Sequence, residues 1–487
     1  MPTVPPRRNV SPSGAQPPPV AEARELARRQ ARRLTGGLAA ALGVGLALFL
    51  VMVLVVLDYR FGQQAHRLVK ILVGVGTGGG IVLFPRFGLL MLPVAVPFLQ
   101  WMPRIPVPGV SMLNLLLFTV FSAWALRRIF ARRPVFRRTR LGGIILAMLA
   151  VAALSIVRGV VFPTGYGYSG GDAAWELLRS AMTFAFYFLT CWMVAGPRDR
   201  RSLTWVIVLA LAVEATVTFL LGRTGRGGRA TGTFGQANDL GAFLAMFTVF
   251  AAAQLPVARG LTGRLAVLGA VIAGGFATLM TVSRGGMLAL GLALLFVAAR
   301  TSRFLTLAVL VVAVTSPLWT PSYVRERVLG TQVEADGLDE VSLENSAQLR
   351  VDTWRALLKV VTEHPLDGVG FAGLGYVLPR TGEALGVEVK EASHNTYLSF
   401  LGQMGVAGLA LFVVLLWRCW RLAEEGIRRA RDRADRQLAL GLAGATLAWA
   451  VSCAFGDRFF SPLIAGNFWI ACALVDDMVR ERRAEVA

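Results

Sequence analysis

His394 is the residue whose type and position point most directly to chemistry. It is one of three histidines in the chain. It stands where a long polar segment, residues 319–395, meets an apolar run that begins at Thr396. An imidazole can exchange protons near neutral pH, so this position suits proton transfer at a membrane surface. The structural alternative is that His394 caps or hydrogen-bonds the first turn of the following helix.

Two arginines in separate segments could bind an anion beside that histidine. Arg284 is followed by two glycines at a break between apolar runs, where exposed N–H groups beside a guanidinium suit a phosphate. Arg350 opens a stretch with helical spacing and shares a face with Trp354. Both have structural alternatives, because arginines near helix ends snorkel to membrane interfaces and Arg350 could pair with a neighbouring acid.

The elements that position these residues are membrane helices. Of the 487 residues 55% are hydrophobic, and the mean hydropathy is +0.59. Because lipid offers the backbone no hydrogen-bond partners, apolar segments of about 17–25 residues must cross it as helices. We therefore predict an all-α fold, a polytopic membrane helix bundle of about 12–14 transmembrane helices. The candidate spans are 34–57, 68–84, 87–102, 109–126, 141–157, 175–195, 203–221, 234–255, 264–282, 286–299, 304–318, 396–417, 438–455 and 459–475.

The distribution of arginine predicts how the bundle is oriented. The net charge of +21 alone suggests nucleic-acid binding. With the N-terminus inside, however, most basic residues fall in inner loops, which is the positive-inside bias. Both termini are therefore predicted to be cytoplasmic, no nucleic-acid partner is expected, and the inner clusters should favour anionic lipid headgroups. These clusters lie within 24–33, 127–140, 198–201, 259–264, 300–303, 418–436 and 480–483.

Five regions follow from this topology. Residues 1–33 form a basic, disordered N-terminal tail, 34–318 transmembrane helices, 319–395 a long outer loop, 396–476 the C-terminal transmembrane helices and 477–487 a cytoplasmic tail. Within the outer loop, apolar residues recur at helical spacing as far as His364-Pro365. This pattern predicts an amphipathic helix in the loop.

A glycine-rich outer stretch carries Arg223, Arg226 and Arg229 and leads to Asn238. Arginines on the outer side oppose the positive-inside rule, and an anionic ligand is one explanation; solvation of the stretch is the other. Arg226, Arg229, Asn238 and Asn395, which follows the histidine, are therefore candidate substrate contacts.

Other candidates have weaker support. His364, a competing base, precedes a proline at a helix stop, which favours a structural role. Glu214 is a buried intramembrane acid, for which a functional site and a helix–helix hydrogen bond are equally good explanations. The four cysteines have neither disulfide nor metal-ligand spacing. Nucleotide-binding, metalloprotease and serine-hydrolase motifs are absent, and no metal or cofactor is expected.

Four blocks together resemble the O-antigen ligase and polymerase superfamily of bacterial envelope enzymes, over about residues 200–420. They occur in the expected order: 231–238 (TGTFGQAN), 283–286 (SRGG), 350–370 (Arg350 to Trp354, then HPLDGVG) and 394–408 (HNTYL to GVAG).

The resemblance implies a glycosyltransferase of the bacterial inner membrane whose periplasmic catalytic loop is 319–395. A glycan carried on undecaprenyl pyrophosphate would pass to an acceptor hydroxyl on lipid A–core, a growing polysaccharide or a protein. Transfer would be inverting and metal-independent. By motif, Arg284 and Arg350 would bind the pyrophosphate, and His394 would assist the acceptor.

Two alternatives stay open at the level of sequence. Ligases and polymerases share these motifs, so the acceptor is undetermined. A transporter or flippase of lipid-linked sugars is the other class, because Glu214 and the break at 283–286 fit an interrupted-helix site. The long outer loop and the absence of an internal repeat count against it.

Overall fold

The computed structural model describes residues 76–102, 111–162, 167–223, 225, 228–322, 324–325, 338–389 and 392–485. The predicted N-terminal tail, the span 34–57 and residues 68–75 of the span 68–84 lie outside these residues. The described helices, numbered in chain order, are α1 (Pro85–Ala95), α2 (Met112–Phe130), α3 (Gly142–Val161), α4 (Gly170–Met193), α5 (Pro197–Leu221), α6 (Ala237–Gln254), α7 (Gly260–Met280), α8 (Arg284–Thr301), α9 (Arg303–Trp319), α10 (Leu338–Glu363), α11 (Leu374–Ala384), α12 (Thr396–Arg429), α13 (Arg433–Cys453) and α14 (Pro462–Ala484).

The prediction of an all-α polytopic membrane bundle is confirmed. Among the described residues, eight helices are long and apolar enough to cross a membrane, namely α2, α3, α5, α6, α7, α8, α12 and α14. Helices α4 and α13 have comparable lengths of 24 and 21 residues. The segment 264–318 is resolved into the three helices α7, α8 and α9.

The predicted span 87–102 is wrong as a single α-helix. Helix α1 ends at Ala95 and continues as a 3₁₀ turn, Val96–Trp101. Pro93 and Pro97 account for the change, because proline lacks the N–H that an α-helix requires and its ring clashes with the preceding turn.

Helices α6, α13 and α14 form the centre of the bundle. Helix α6 packs against α7, α8 and α13, and α14 packs against α4, α12 and α13. Where α8 crosses α6, a Cβ on Gly286 would come within 3.0 Å of the carbonyl of Gly241. Glycine at this position therefore lets two membrane helices meet backbone to backbone.

Many of the predicted inner arginines meet at one end of this bundle. Arg200 is buried and pairs with Asp477 at 2.9 Å and Glu481 at 2.6 Å. Arg140 pairs with Glu425 at 2.7 Å, joining the start of α3 to α12. The opposite end carries the segments that are predicted to be outer, including 228–238, 280–284 and 392–396.

The outer loop contains the predicted helix, α10, which begins at Leu338 and ends before His364. Together with α11 it encloses a small hydrophobic core separate from the main one, built around Leu357, Val360 and Leu378. The loop is therefore a folded unit that can hold side chains in place above the membrane helices.

The loop is fastened to α12 at a break in that helix. Gly405 has φ 65° and ψ −164°, so α12 consists of a short first segment and a longer second one. The N–H groups of Val369 and Gly370 donate to the carbonyls of Gly402 and Gln403 (2.9 and 3.0 Å). A Cβ on Gly405 would collide with the carbonyl of Leu366, and the φ is also one that only glycine adopts readily.

Candidate functional site

His394 is held in a conformation that its residue type rarely adopts. Its φ is 52°, in the left-handed region, where residues with a Cβ are disfavoured and which recurs at functional sites. The side chain of Asn395 caps α12, because its Oδ1 accepts from the N–H groups of Tyr397 (3.0 Å) and Leu398 (3.2 Å). The interpretation of His394 as the helix cap is therefore wrong, since its neighbour has that role.

The carboxylate of Asp457 holds the backbone of His394. Asp457, in the turn between α13 and α14, accepts the His394 N–H through Oδ2 at 3.0 Å. The Ser393 hydroxyl lies 3.0 Å from both of its oxygens. Burial raises the pKa of Asp457, while the hydrogen bonds from Ser393, Ser399 and His394 and the charge of Arg458 oppose that rise. These contacts offset the cost of the left-handed backbone.

The turn that carries Asp457 is anchored by aromatic packing. Phe459 stacks on Trp449 with ring centroids 5.2 Å apart and planes 9° from parallel. The carbonyl of Gly456 accepts from Thr396 Oγ1 at 2.7 Å, and the N–H of Arg458 donates to the same hydroxyl oxygen at 3.2 Å. The first turn of α12 and the α13–α14 turn are thus bound to each other on both sides of His394.

Arg284, Arg350 and Arg458 converge although they belong to α8, α10 and the α13–α14 turn. Burial lowers the pKa of Arg350, and the charges of Arg458 and Arg284 lower it further. Arg458 is buried; its Nη1 donates to the Ser452 carbonyl at 2.8 Å, and its Nε lies 3.4 Å from Asp239. Positive charge concentrated in a partly buried place favours an anion among these groups.

One hydrogen bond ties the arginine on α10 to the histidine segment. Trp354 lies one helical turn after Arg350, and its indole N–H donates to the carbonyl of Ser393 at 2.9 Å. The face shared by Arg350 and Trp354, predicted from their spacing, therefore rests against the residue that precedes His394.

The glycines after Arg284 do not serve as expected. The Gly286 N–H donates to the Ser283 side chain, which caps α8, at 3.3 Å. Gly285 and Gly286 are buried, and a Cβ on Gly285 would meet Phe455 at 2.7 Å. The prediction of an exposed N–H group for a phosphate is therefore wrong for Gly286, and both glycines instead let α8 pack closely against neighbouring elements.

Arg229 and Asn238 are bonded to each other. Arg229 Nη2 donates to Asn238 Oδ1 at 2.6 Å, and its Nε donates to the carbonyl of Thr281 at 2.8 Å. These bonds tie the outer segment 228–238 to the turn between α7 and α8, next to Arg284. Arg226 lies outside the described residues, so the structure does not place it.

The competing candidates occupy structural positions. Glu214 is buried. Its carboxylate accepts a hydrogen bond from the Thr233 N–H (3.0 Å) and lies 2.7 Å from the Thr233 hydroxyl, so Glu214 anchors the turn Gly232–Phe234 to α5. His364 Nδ1 lies 3.0 Å from Arg158 Nη2, and the same guanidinium pairs with Asp367 at 2.6 Å. This cluster links α3 to the end of α10.

A cavity of about 600 Å³ opens beside the histidine segment. Its lining includes Ser393 and Thr396, which flank His394 closely in the chain, together with Asp457 and Arg458. Phe371, Phe400, Phe459 and Phe460 form an aromatic wall, and Glu176, Arg179 and Gln403 add polar groups. The combination of aromatic faces with hydrogen-bonding side chains suits a sugar.

Asp457 and Arg458 were not identified from sequence. The available signal was an Asp-Arg pair in a short outer turn between two apolar segments. An arginine there opposes the positive-inside rule, as Arg229 does. In the part of the chain that the structure describes, no group of three or more His, Cys, Asp or Glu side chains is arranged to hold a metal ion.

A known family model matches part of the chain. Residues 268–413 match the family model described as O-antigen ligase. The matched segment runs from within α7 into α12 and contains Arg284, Arg350 and His394, whereas Arg229, Asn238, Asp457 and Arg458 lie outside it. No curated protein matches the chain. The match confirms the resemblance and supports, in general terms, glycan transfer of the O-antigen ligase type by a multi-pass bacterial inner membrane protein.

Proposed function

We propose that this protein, which matches the O-antigen ligase family model over residues 268–413, transfers a glycan from undecaprenyl pyrophosphate to an acceptor hydroxyl. The acceptor belongs to lipid A–core, a growing polysaccharide or a protein. The observation that carries the proposal is the convergence of Arg284, Arg350 and Arg458 near the segment that bears His394. Trp354 and Asp457 connect these arginines to the histidine.

In the proposed reaction the acceptor oxygen attacks the anomeric carbon of the donor, opposite the pyrophosphate. The bond between that carbon and the phosphate oxygen breaks, so the anomeric configuration inverts. His394 takes the proton of the acceptor hydroxyl, which is a poor nucleophile without a base. The bonding electron pair leaves with the pyrophosphate, and the guanidinium groups stabilise the charge that develops there without a metal.

The two substrates are proposed to approach from different directions. The arginine cluster faces the pyrophosphate of the membrane-bound donor, and the 600 Å³ cavity admits the acceptor sugar. Arg226 is proposed as a further donor contact. Hydrogen bonds within the protein are formed by Arg229, Asn238 and Asn395. The main role proposed for these three residues is therefore to position the segments around the site.

The proposed orientation puts this site in the periplasm and both termini in the cytoplasm. The support is electrostatic, because arginine-rich segments gather at the other end of the bundle and such segments stay inside. In this orientation residues 319–395 are the periplasmic catalytic loop.

The decisive experiment mixes purified protein with a purified undecaprenyl-pyrophosphate glycan and separate acceptors. Formation of a new glycosidic bond, detected by mass spectrometry of the product, is expected. Addition to lipid A–core or protein identifies a ligase, and addition to a second donor molecule identifies a polymerase. If the protein instead moved the donor across the vesicle membrane without forming a glycosidic bond, the transporter alternative would be established. The hydrogen bond between Glu214 and Thr233 does not specifically favour that alternative.

Asp457→Asn is expected to lower kcat by about 10–100-fold while the donor KM stays within about twofold. The substitution removes the negative charge and one of the two acceptor oxygens that hold Ser393 and the His394 N–H, so the backbone of His394 is held less firmly. Steady-state transfer kinetics with varied donor provide the measurement.

Asp432→Asn is the matched control for this substitution, since Asp432 caps α13 at the opposite end and asparagine also caps helices. Its kinetics should equal those of the unaltered protein. A joint rise in donor KM and loss of folded protein in Asp457→Asn would show that Asp457 supports the fold rather than the histidine.

A further inference from the structure

The end of the bundle opposite the His394 site has a second cavity, of about 800 Å³, between α5, α7 and α13. Along α5 its lining begins at Arg200, whereas the outer end of that helix is Leu221. At 1.5 Å per residue the two ends are roughly 30 Å apart. The cavity therefore cannot belong to the proposed transferase site.

The lining of this cavity changes character along the helices. Ala266 and Ala270 of α7 and Leu209 and Ala212 of α5 form an apolar part. Small alanine side chains leave a groove whose width suits an aliphatic chain. Trp205 lies between this part and the mouth and is 37% exposed, as expected for a tryptophan at the boundary between headgroups and hydrocarbon.

Two exposed arginines lie at the mouth of the cavity. Arg259 and Arg433 both line it and are exposed, and their side chains form no hydrogen bond or ion pair with any described residue. The carboxylates in the lining are already occupied. Asp432 pairs with Arg201 at 2.8 Å, and Asp435 pairs with Arg482 at 3.0 Å. The mouth is thus left with a net positive charge.

A buried guanidinium adds a second, independent feature. Arg200 is 1% exposed and lines the same cavity. Its Nη1 donates to Asp477 and Glu481, and its Nη2 lies 3.7 Å from Asp435. Among the described residues, neither Nε nor Nη2 has a hydrogen-bond partner. Buried polar atoms are normally hydrogen-bonded, so the unbonded Nε and the long Nη2 contact leave Arg200 able to donate to a further acceptor here.

We propose that the cavity is a binding site for an anionic glycerophospholipid of the surrounding leaflet. Arg259 and Arg433 hold the phosphate, a headgroup oxygen accepts from Arg200, and an acyl chain lies along Ala266, Ala270 and Leu209. A free phosphate would meet the same arginines, but it would leave the apolar part of the cavity unfilled. The lipid fastens α5, α7 and α13 together at the end of the bundle away from catalysis.

The test compares the unaltered protein with the double variant Arg259→Gln/Arg433→Gln. Both are purified in mild detergent and supplied with phosphatidylglycerol, with phosphatidylethanolamine or with inorganic phosphate. The lipid retained per protein is measured by mass spectrometry, and Tm is measured in each condition. The matched control is Arg303→Gln/Arg421→Gln, which removes two arginines from helices that do not line the cavity.

The unaltered protein and the control are expected to retain phosphatidylglycerol in preference to phosphatidylethanolamine and to show a higher Tm with it. In the double variant, retention should fall about tenfold, since each arginine contributes to binding of an anionic headgroup. Equal retention of both lipids, an equal loss in the control, or full stabilisation by phosphate alone would each overturn the proposal.

Discussion

Replacing His394 with alanine is expected to lower the turnover of glycan transfer by about 10²–10⁴-fold, the range that a positioned general base contributes. Arg284, Arg350 and Arg458 are untouched by the substitution, so donor binding should persist. Because alanine cannot take up the acceptor proton, the dependence of the rate on pH in the range where imidazoles titrate should disappear as well. Single-turnover transfer from a purified donor, measured across pH, checks both expectations.

His364→Ala is the control for this experiment. That histidine belongs to the cluster with Arg158 and Asp367, so its loss should reduce thermal stability while transfer stays within a few-fold. If His394→Ala retained the rate and His364→Ala lost it, the assignment of the base would have to be exchanged between them.

Arg350→Ala is expected to lower transfer by about 10²–10³-fold, the cost of removing one preorganised group that stabilises transition-state charge. The substrate-free protein should nevertheless have an unchanged or higher Tm. The reason is that burial and the charges of Arg458 and Arg284 lower the pKa of Arg350, so its charged form is disfavoured in the folded state. Loss of activity together with unimpaired stability is the pattern of a residue kept for its ligand.

Two further variants test the proposed role of Arg350. Arg350→Lys keeps the charge but loses the planar fork, so an intermediate rate is expected. Arg355→Ala removes an exposed arginine of the same helix that pairs with Asp352 at 3.2 Å and should leave transfer unchanged. If Arg350→Ala lowered Tm as well as activity, the loss of activity could be due to unfolding, and the proposed role would be contradicted. The same comparison applies to Arg284→Ala.

The positions of most helices could be read from hydropathy, because burial in lipid imposes a length and an apolar composition on each. The predicted span 141–157 became α3, Gly142–Val161, and 203–221 became part of α5, Pro197–Leu221. Hydropathy carries no information on local backbone geometry. For that reason the 3₁₀ turn that follows α1 and the break at Gly405 were not foreseen.

The candidate site could be predicted only in part from local sequence patterns. His394, Arg284 and Arg350 each had a local signal, and topology alone put them on one side. The contacts from Trp354 to Ser393 and from Asp457 to His394 join residues 39 and 63 positions apart. Such pairings depend on how α10, α12 and the α13–α14 turn pack, which no local pattern encodes.

The break at Gly405 has a mechanical consequence. The chain from Pro365 to Gly370 is hydrogen-bonded to both sides of it, since Val406 N–H donates to Pro365 and Gly402 accepts from Val369. The loop therefore supplies hydrogen bonds across the break that a continuous α-helix would make within itself. The short segment of α12, which begins two residues after His394, is positioned by the loop as well as by the longer segment.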